Sequence, residues 1–123
     1  MNFKEYQQGA ARTFAENPDK LQPNQFSELH CAIGICTEAG ELLDAYKKHI
    51  YYKRELDLVN VKEEIGDIMW YIANFCTVMG IELDDLLHAN LDKLKLRYPD
   101  KFNTDKAINR NLEAERNLLS EKL

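Results

Sequence analysis

Four acidic residues carry the clearest chemical signal in the sequence, and they occur in two short motifs. Glu38-Ala39-Gly40-Glu41 and Glu64-Ile65-Gly66-Asp67 each place two carboxylates three residues apart, with a glycine between them. On a helix this spacing puts both side chains on one face, about one turn apart. Each motif therefore predicts a pair of carboxylates that face the same way.

The two motifs would lie opposite each other if their helices form an antiparallel hairpin. In such a hairpin, the residue numbers of any two opposing residues add up to the same value. Two pairs share the sum of 105: Glu38 with Asp67, and Glu41 with Glu64. Four carboxylates at one level repel each other unless a positive charge lies among them. Oxygen ligands without His or Cys favour Mg²⁺ or Mn²⁺, and magnesium sites are commonly completed by substrate phosphates. The cluster therefore predicts phosphoryl or nucleotidyl chemistry.

Two other interpretations of the acids fit the sequence less well. Acids three residues apart are common on solvated helix faces, but these motifs lie in apolar surroundings. Both also contain a mid-helix glycine, which costs about 1 kcal/mol relative to alanine. Such a glycine allows a neighbouring helix or a ligand to approach closely. A di-iron bundle would need Glu-x-x-His on two helices, and the sequence contains no such motif.

Composition limits the class of protein. The 123 residues are 45% hydrophobic and 30% charged, which fits one soluble domain over residues 1–123. The net charge of -5 and the lack of a basic run argue against a nucleic-acid polymer as partner. No apolar stretch reaches the roughly 18 residues of a membrane span, and the amino terminus lacks a signal-peptide core. We therefore expect a cytoplasmic protein, with Cys31, Cys36 and Cys76 as buried free thiols.

The apolar periodicity predicts an all-α fold, a compact bundle of about four to five helices. The predicted helices cover about 3–15, 25–51, a third ending at 79, 83–97, and a short one around 112–119 in the polar tail 103–123. Asn17-Pro18-Asp19 is expected to end the first helix, and Pro23-Asn24 to precede the second. The third helix has two candidate caps, Asn60 with Glu63 as a capping box, or Asp57. The hairpin centre between residues 52 and 53 favours the earlier start.

The second predicted helix has an apolar face whose members recur at steps of three and four. This apolar face consists of Phe26, Leu29, Ile33, Cys36, Leu43 and Ile50. Apolar residues also lie on its other faces, and a helix that is apolar nearly all round is normally buried nearly all round. A chain of this length has few helices with which to cover it. We therefore expect a homodimer or homotetramer that completes the bundle.

The sequence resembles the MazG-like, all-α nucleoside triphosphate pyrophosphohydrolases in three features. These are the two acidic motifs, the gap of 22 residues between them and the basic segment Asn90–Pro99. The similarity covers roughly Leu29–Phe102. One departure is Lys101, since a glycine often follows Pro-Asp in other members. The resemblance implies that the four acids bind Mg²⁺ and that Lys93 and Arg97 contact a triphosphate. It also implies hydrolysis of a nucleoside triphosphate to monophosphate and pyrophosphate.

Spacing supports further substrate contacts. Asn90, Lys93 and Arg97 fall on one face of the fourth helix, where Arg and Lys can bind phosphate. His30 lies on the acidic side of the second helix, two turns before Glu38. Tyr71 follows Asp67 by one turn and could stack on a base. Asn74 could then hydrogen-bond the edge of that base.

In the predicted reaction, Glu41 or the neighbouring Glu63 orients a water molecule that attacks the α-phosphorus. Two alternatives remain open from the sequence. One is a phosphoribosyl-ATP pyrophosphohydrolase-like enzyme, which keeps the chemistry and changes the substrate. The other is a helical oligomer that binds nucleotide without catalysis.

Overall fold

A computed structural model describes residues 1–15 and 25–123, and every regular element within these two ranges is an α-helix. In chain order the helices are α1 (Phe3–Ala11), α2 (Gln25–Tyr52), α3 (Leu58–Met79), α4 (Leu83–Arg97), α5 (Thr104–Ile108) and α6 (Leu112–Lys122). The predicted all-α class is confirmed.

The chain divides into two compact units, residues 1–80 and 81–123, and its assignment as a single domain stays a prediction. No helix in the described ranges is long and apolar enough to cross a membrane.

Helix α1 ends earlier than the sequence predicted. It begins with a capping box in which Asn2 and Glu5 satisfy each other's backbone N–H groups, both at 2.9 Å. It ends at Ala11 rather than near residue 15, because the N–H and the hydroxyl of Thr13 both bind the Ala10 carbonyl oxygen at 3.1 Å. The predicted breaks at 17–19 and 23–24 lie outside the described residues.

Helices α2 and α3 form the hairpin that the acidic motifs predicted. Helix α2 runs from Gln25 to Tyr52, and the chain then reverses at Lys53, which has a left-handed backbone with φ of +53°. The N–H of Arg54 closes the turn by donating to the Lys48 carbonyl oxygen at 3.2 Å. The reversal therefore lies at the predicted hairpin centre.

Asp57, and not Asn60, caps the start of α3. Its carboxylate accepts hydrogen bonds at 3.0 Å from the backbone N–H groups of Val59 and Asn60. The capping box proposed for Asn60 and Glu63 is therefore wrong, because Asp57 already satisfies the first N–H groups and Asn60 lies inside the helix. The earlier start brings the second acidic motif level with the first.

Helices α2 and α3 approach closely at Gly34. A Cβ atom placed there would collide with the ring of Tyr71, so the tyrosine ring packs directly on the α2 backbone. We expected such an approach at Gly40 and Gly66, but a Cβ at either position would meet no described atom within 4 Å. The glycine that permits the hairpin to close is therefore one turn before the first acidic motif.

The buried core of the first unit is built from small side chains, including Cys31, Val61, Ala73 and Cys76. Burial raises the pKa of the Cys31 and Cys76 thiols, which agrees with their expected role as buried free thiols. Cys36 was also expected to be buried, but it is exposed. It lies on the apolar face of α2, which is exposed in the described part of the chain: Ile33 is 52% exposed and Leu43 is 70% exposed.

The second unit is formed by α4, α5 and α6. Helix α3 ends before Gly80, whose φ of +70° terminates it as predicted, and α4 has its predicted limits. Helix α6 extends the predicted short helix to Lys122, and Lys122 binds Asp92 of α4 at 2.9 Å. Helix α5 was not predicted. Its five residues are held by Asn103, whose side chain accepts a hydrogen bond from the Lys106 N–H at 3.1 Å.

Candidate metal centre

Three of the four predicted acids meet at one level of the α2–α3 hairpin. Glu38 and Glu41 come from α2 and Glu64 comes from α3, and one carboxylate oxygen of each lies within 4.8 Å of the others. The spacing of three residues brings the two α2 carboxylates together, and the hairpin level brings the third opposite them. The cluster is open to solvent on one side, because Glu41 is exposed whereas Glu64 is buried.

Glu64 is the most constrained acid of the three. Only 4% of the residue is exposed, and its Oε1 accepts a hydrogen bond from the side-chain amide of Asn60, one turn earlier. Its Oε2 is buried and has no hydrogen-bond partner in the described chain. A buried carboxylate oxygen without a partner is costly, and a divalent cation would offset that cost. The donor set, oxygen only, fits Mg²⁺ or Mn²⁺.

Asp67 lies close to this cluster without being one of the three convergent ligands. The pKa of Glu38 is raised, first by partial burial and then by a hydrogen bond that protonated Glu38 makes with Glu64. The negative charges of Glu41 and Asp67 raise the pKa of Glu38 further. Burial and the charge of Asp67 also raise the pKa of Tyr6 in α1. Negative charge is therefore concentrated here, as a cation site requires.

An aromatic cluster lies in the same unit. The His30 ring stacks on Phe14 with centroids 5.3 Å apart and meets the edge of Tyr71 at 5.9 Å. Trp70 packs edge-on against Tyr71 at 4.9 Å, and its indole N–H donates to the Thr13 hydroxyl at 2.9 Å. The predicted contacts His30 and Tyr71 are thus neighbours, and both could reach a planar ligand because neither is fully buried.

Two other predicted site residues have different surroundings. Asn74 is 1% exposed, its side-chain amide donates to the Trp70 carbonyl oxygen at 2.9 Å, and its Oδ1 lacks a partner among the described residues. Its proposed contact with a base edge stays a prediction. Glu63 is exposed and is not part of the three-acid cluster, so its proposed catalytic role also stays a prediction.

The predicted phosphate contacts lie on α4 in the second unit. Asn90 is exposed and Lys93 is half-buried. The Arg97 guanidinium donates from Nε and Nη2 to the two carboxylate oxygens of Glu115, at 2.7 and 2.9 Å. Arg97 therefore keeps a fixed orientation, and the roles of all three residues toward a triphosphate stay predictions.

Sequence reasoning missed several residues around the cluster. Asn60 could have been found, because it precedes Glu64 by four residues and so shares its helix face. Tyr6 and Phe14 carry no such local signal. Tyr6 lies near Asp67, and Phe14 lies beside Trp70 in the aromatic cluster, only because the chain at and after α1 packs against α3.

The fold and the site define an all-α protein in which two antiparallel helices share a cluster of carboxylates. The chain belongs to the MazG nucleotide pyrophosphohydrolase domain family, whose model matches residues 26–102. The Gene 37 protein of Mycobacterium phage L5 is 32% identical over 75 residues, which cover 55% of this chain and 63% of that protein. The chain thus spans less than two thirds of that relative. No solved structure matches the chain.

Proposed function

We propose that this protein hydrolyses a nucleoside triphosphate to the monophosphate and pyrophosphate, with a divalent cation bound by Glu38, Glu41, Glu64 and Asp67. The observation that carries the proposal is the convergence of three carboxylates, one of them the buried Glu64 with an unpartnered oxygen, in a chain of this family. Mg²⁺ is the expected cation and Mn²⁺ a substitute, because all four ligands are carboxylates.

The cation, when bound, would supply positive charge for phosphate oxygens and acidify a water molecule. Asn60 and the packing of α3 hold Glu64 in one orientation, so that the ligand set is preorganised. Glu41 is the exposed acid of the cluster and accepts a proton from the attacking water; Glu63 is the alternative base. The water oxygen bonds to the α-phosphorus, the bond to the α–β bridging oxygen breaks, and pyrophosphate leaves.

Other residues would hold the two ends of the substrate. Tyr71 and His30 offer ring faces and edges for the base, and Asn74 offers an amide. Asn90, Lys93 and Arg97 would contact the triphosphate, where cations counter the charge of the leaving pyrophosphate.

We also propose that the protein is a homodimer or homotetramer. The support is the apolar face of α2, which is exposed along the helix in this chain. Exposed apolar side chains that recur along one face in this way are typical of a protein interface. A second copy is the partner that carries the same face, and it would complete the bundle around α2.

The decisive test is pyrophosphate release by purified Glu41→Gln and Asp67→Asn variants. We expect each to lose roughly a hundredfold or more of the wild-type rate at millimolar Mg²⁺, because removal of a ligand or base costs at least that much. Glu121→Gln, an exposed glutamate at the end of α6, is the matched control and should keep the wild-type rate. Variants that release pyrophosphate at the wild-type rate would refute the assignment.

A substrate panel separates the related activities. Deoxynucleoside and nucleoside triphosphates and phosphoribosyl-ATP are supplied in turn, and monophosphate plus pyrophosphate is resolved from diphosphate plus phosphate. We expect the first product pair and a preference for a nucleoside triphosphate. Nucleotide binding by calorimetry without turnover at millimolar Mg²⁺ or Mn²⁺ would favour a non-catalytic binding protein instead.

A further inference from the structure

A cationic pocket of about 190 Å³ lies within the second unit, and most of its wall comes after residue 102, the last that matches the family model. It is lined by the end of α4, by α5, by the turn before α6 and by the first turns of α6. Its charged residues are Arg97, Lys106, Arg110 and Glu115. The volume is several times the roughly 30 Å³ that a water molecule occupies in the liquid. It can therefore hold a tetrahedral oxyanion.

Glu115 is the one acid in the wall, and two arginines share it. The residue is 4% exposed, and both Nε and Nη2 of Arg97 and of Arg110 donate to its carboxylate. One carboxylate neutralises only one guanidinium. The pocket therefore keeps excess positive charge even before Lys106 is counted.

Lys106 adds a cation that has no acidic partner. Its ammonium group forms no ion pair within the described residues, although its backbone N–H is bonded to Asn103. Arg110 donates to Glu115 from Nε and Nη2. Its third nitrogen, Nη1, has no acceptor in the described part of the chain. These donors are free to bind an anion from the open side of the pocket.

The turn between Arg110 and α6 adds neutral donors. Asn111 lines the pocket and caps α6, with its Oδ1 accepting from the Ala114 N–H at 3.1 Å, so its side-chain NH₂ remains available. Helix α6 begins at this wall, and the positive end of its dipole favours an anion there. Charge, donors and volume thus point to the same class of ligand.

We propose that this pocket binds a phosphate group, with Lys106 and Arg110 as its principal ligands and Asn111 as an additional donor. Phosphate can accept hydrogen bonds from Nη1 of Arg110, the nitrogen that Glu115 does not use, and can pair with the ammonium charge of Lys106. The phosphate belongs to free phosphate or pyrophosphate, or to the end of a nucleotide polyphosphate. Binding needs no hydrolysis, and the site shares only Arg97 with the proposed reaction.

The test is direct binding of inorganic phosphate, pyrophosphate and dATP to the full chain, measured by calorimetry with EDTA present. We expect Lys106→Ala and Arg110→Ala each to weaken binding of the tightest ligand about tenfold, the effect of losing one charge-assisted contact. Lys101→Ala and Arg116→Ala, exposed residues of the same types outside the pocket wall, should bind as the wild type does. The Lys106 change breaks no ion pair, so its effect does not depend on the fold around Glu115.

The three ligands distinguish the sources of the phosphate. Tighter binding of pyrophosphate than of dATP identifies a site for the free anion, and the reverse identifies the end of a nucleotide. Because these titrations contain EDTA, the binding that they measure needs no divalent cation, which separates this pocket from the acidic cluster. No binding at millimolar concentrations, or equal affinities for the two pocket variants and their controls, would overturn the proposal.

Discussion

Glu64 differs from the other acids because its environment leaves it only partly satisfied. Its Oε1 is fixed by Asn60, its Oε2 is buried without a partner among the described residues, and its carboxylate lies beside those of Glu38 and Glu41. A folded protein rarely retains such an arrangement unless it serves a function, because buried charge without a partner destabilises the fold. We therefore regard Glu64 as the residue about which the site is organised.

Gly34 permits the close packing of Tyr71 on α2. A Gly34→Ala change would place a methyl group in the Tyr71 ring, which must move or strain the hairpin. We expect a loss of about 1–3 kcal/mol in the free energy of unfolding, as for overpacked cores. Urea denaturation followed by circular dichroism measures it, and the fluorescence of Trp70, the one tryptophan of the sequence, reports the displaced ring because it packs against Tyr71 at 4.9 Å.

Gly9→Ala in α1 is the matched control for that change. A Cβ at Gly9 would meet no described atom within 4 Å, so only helix propensity should count. We expect the variant to be more stable by up to about 1 kcal/mol. If Gly34→Ala were equally stabilising, the close packing of Tyr71 on α2 would be disproved.

At the scale of elements, the cap of α3 sets the level of the second acidic motif. Asp57→Ala removes the acceptor of two backbone N–H groups, and we expect a loss of about 1 kcal/mol in the free energy of unfolding. The start of α3 should fray and the affinity for Mg²⁺ should fall with it. Denaturation and Mg²⁺ titration of the activity measure the two effects. Glu55→Ala, an exposed change two residues earlier, should alter neither.

Helices α4 and α6 are joined by the buried Glu115. Hydrogen bonds from Arg97, then from Arg110, lower the pKa of Glu115 from its ordinary 4.5 to about 2. Because the pKa is lower in the folded state, this carboxylate stabilises the fold fully above pH 4.5 and loses that effect as the pH falls to about 2.

A Glu115→Gln variant tests this pH dependence. We expect it to be less stable than the wild type at pH 7, and the difference to shrink steadily as the pH falls below 4.5. Urea denaturation at several pH values measures both proteins. Glu121→Gln on the same helix is the control and should show no such convergence. A difference that stays constant down to pH 2 would contradict the shared ion pair.

At the scale of the whole molecule, the exposed apolar face of α2 is the main unsatisfied feature. We expect Ile33→Glu and Leu43→Glu to convert the proposed oligomer to a monomer, because each places a charge in an interface that excludes water. Light scattering coupled to gel filtration measures the mass. Ile108→Glu, at an exposed apolar position on α5, should leave the mass unchanged. A monomeric wild-type protein would refute the proposal.

The sequence by itself determined the limits of α4, the end of α3 at Gly80 and the pairing of acids within each motif. These features follow from local signals: periodicity, glycine and a spacing of three. These signals act within a few residues of the chain, so they can be read without coordinates. Membership of the MazG family was predicted from the two acidic motifs and the basic segment of α4, and it is confirmed.

The tertiary structure decided which faces of the helices meet. The most regular apolar face of α2 is exposed, and the face that carries Cys31 and Gly34 is buried instead. Likewise, only packing brings Phe14 onto His30 and pairs Arg97 with Glu115, since these partners are far apart in sequence. An apolar periodicity predicts that a helix face will be covered, but it does not identify the partner. Burial of the same apolar side chains against this chain or against a second copy lowers the free energy in the same way.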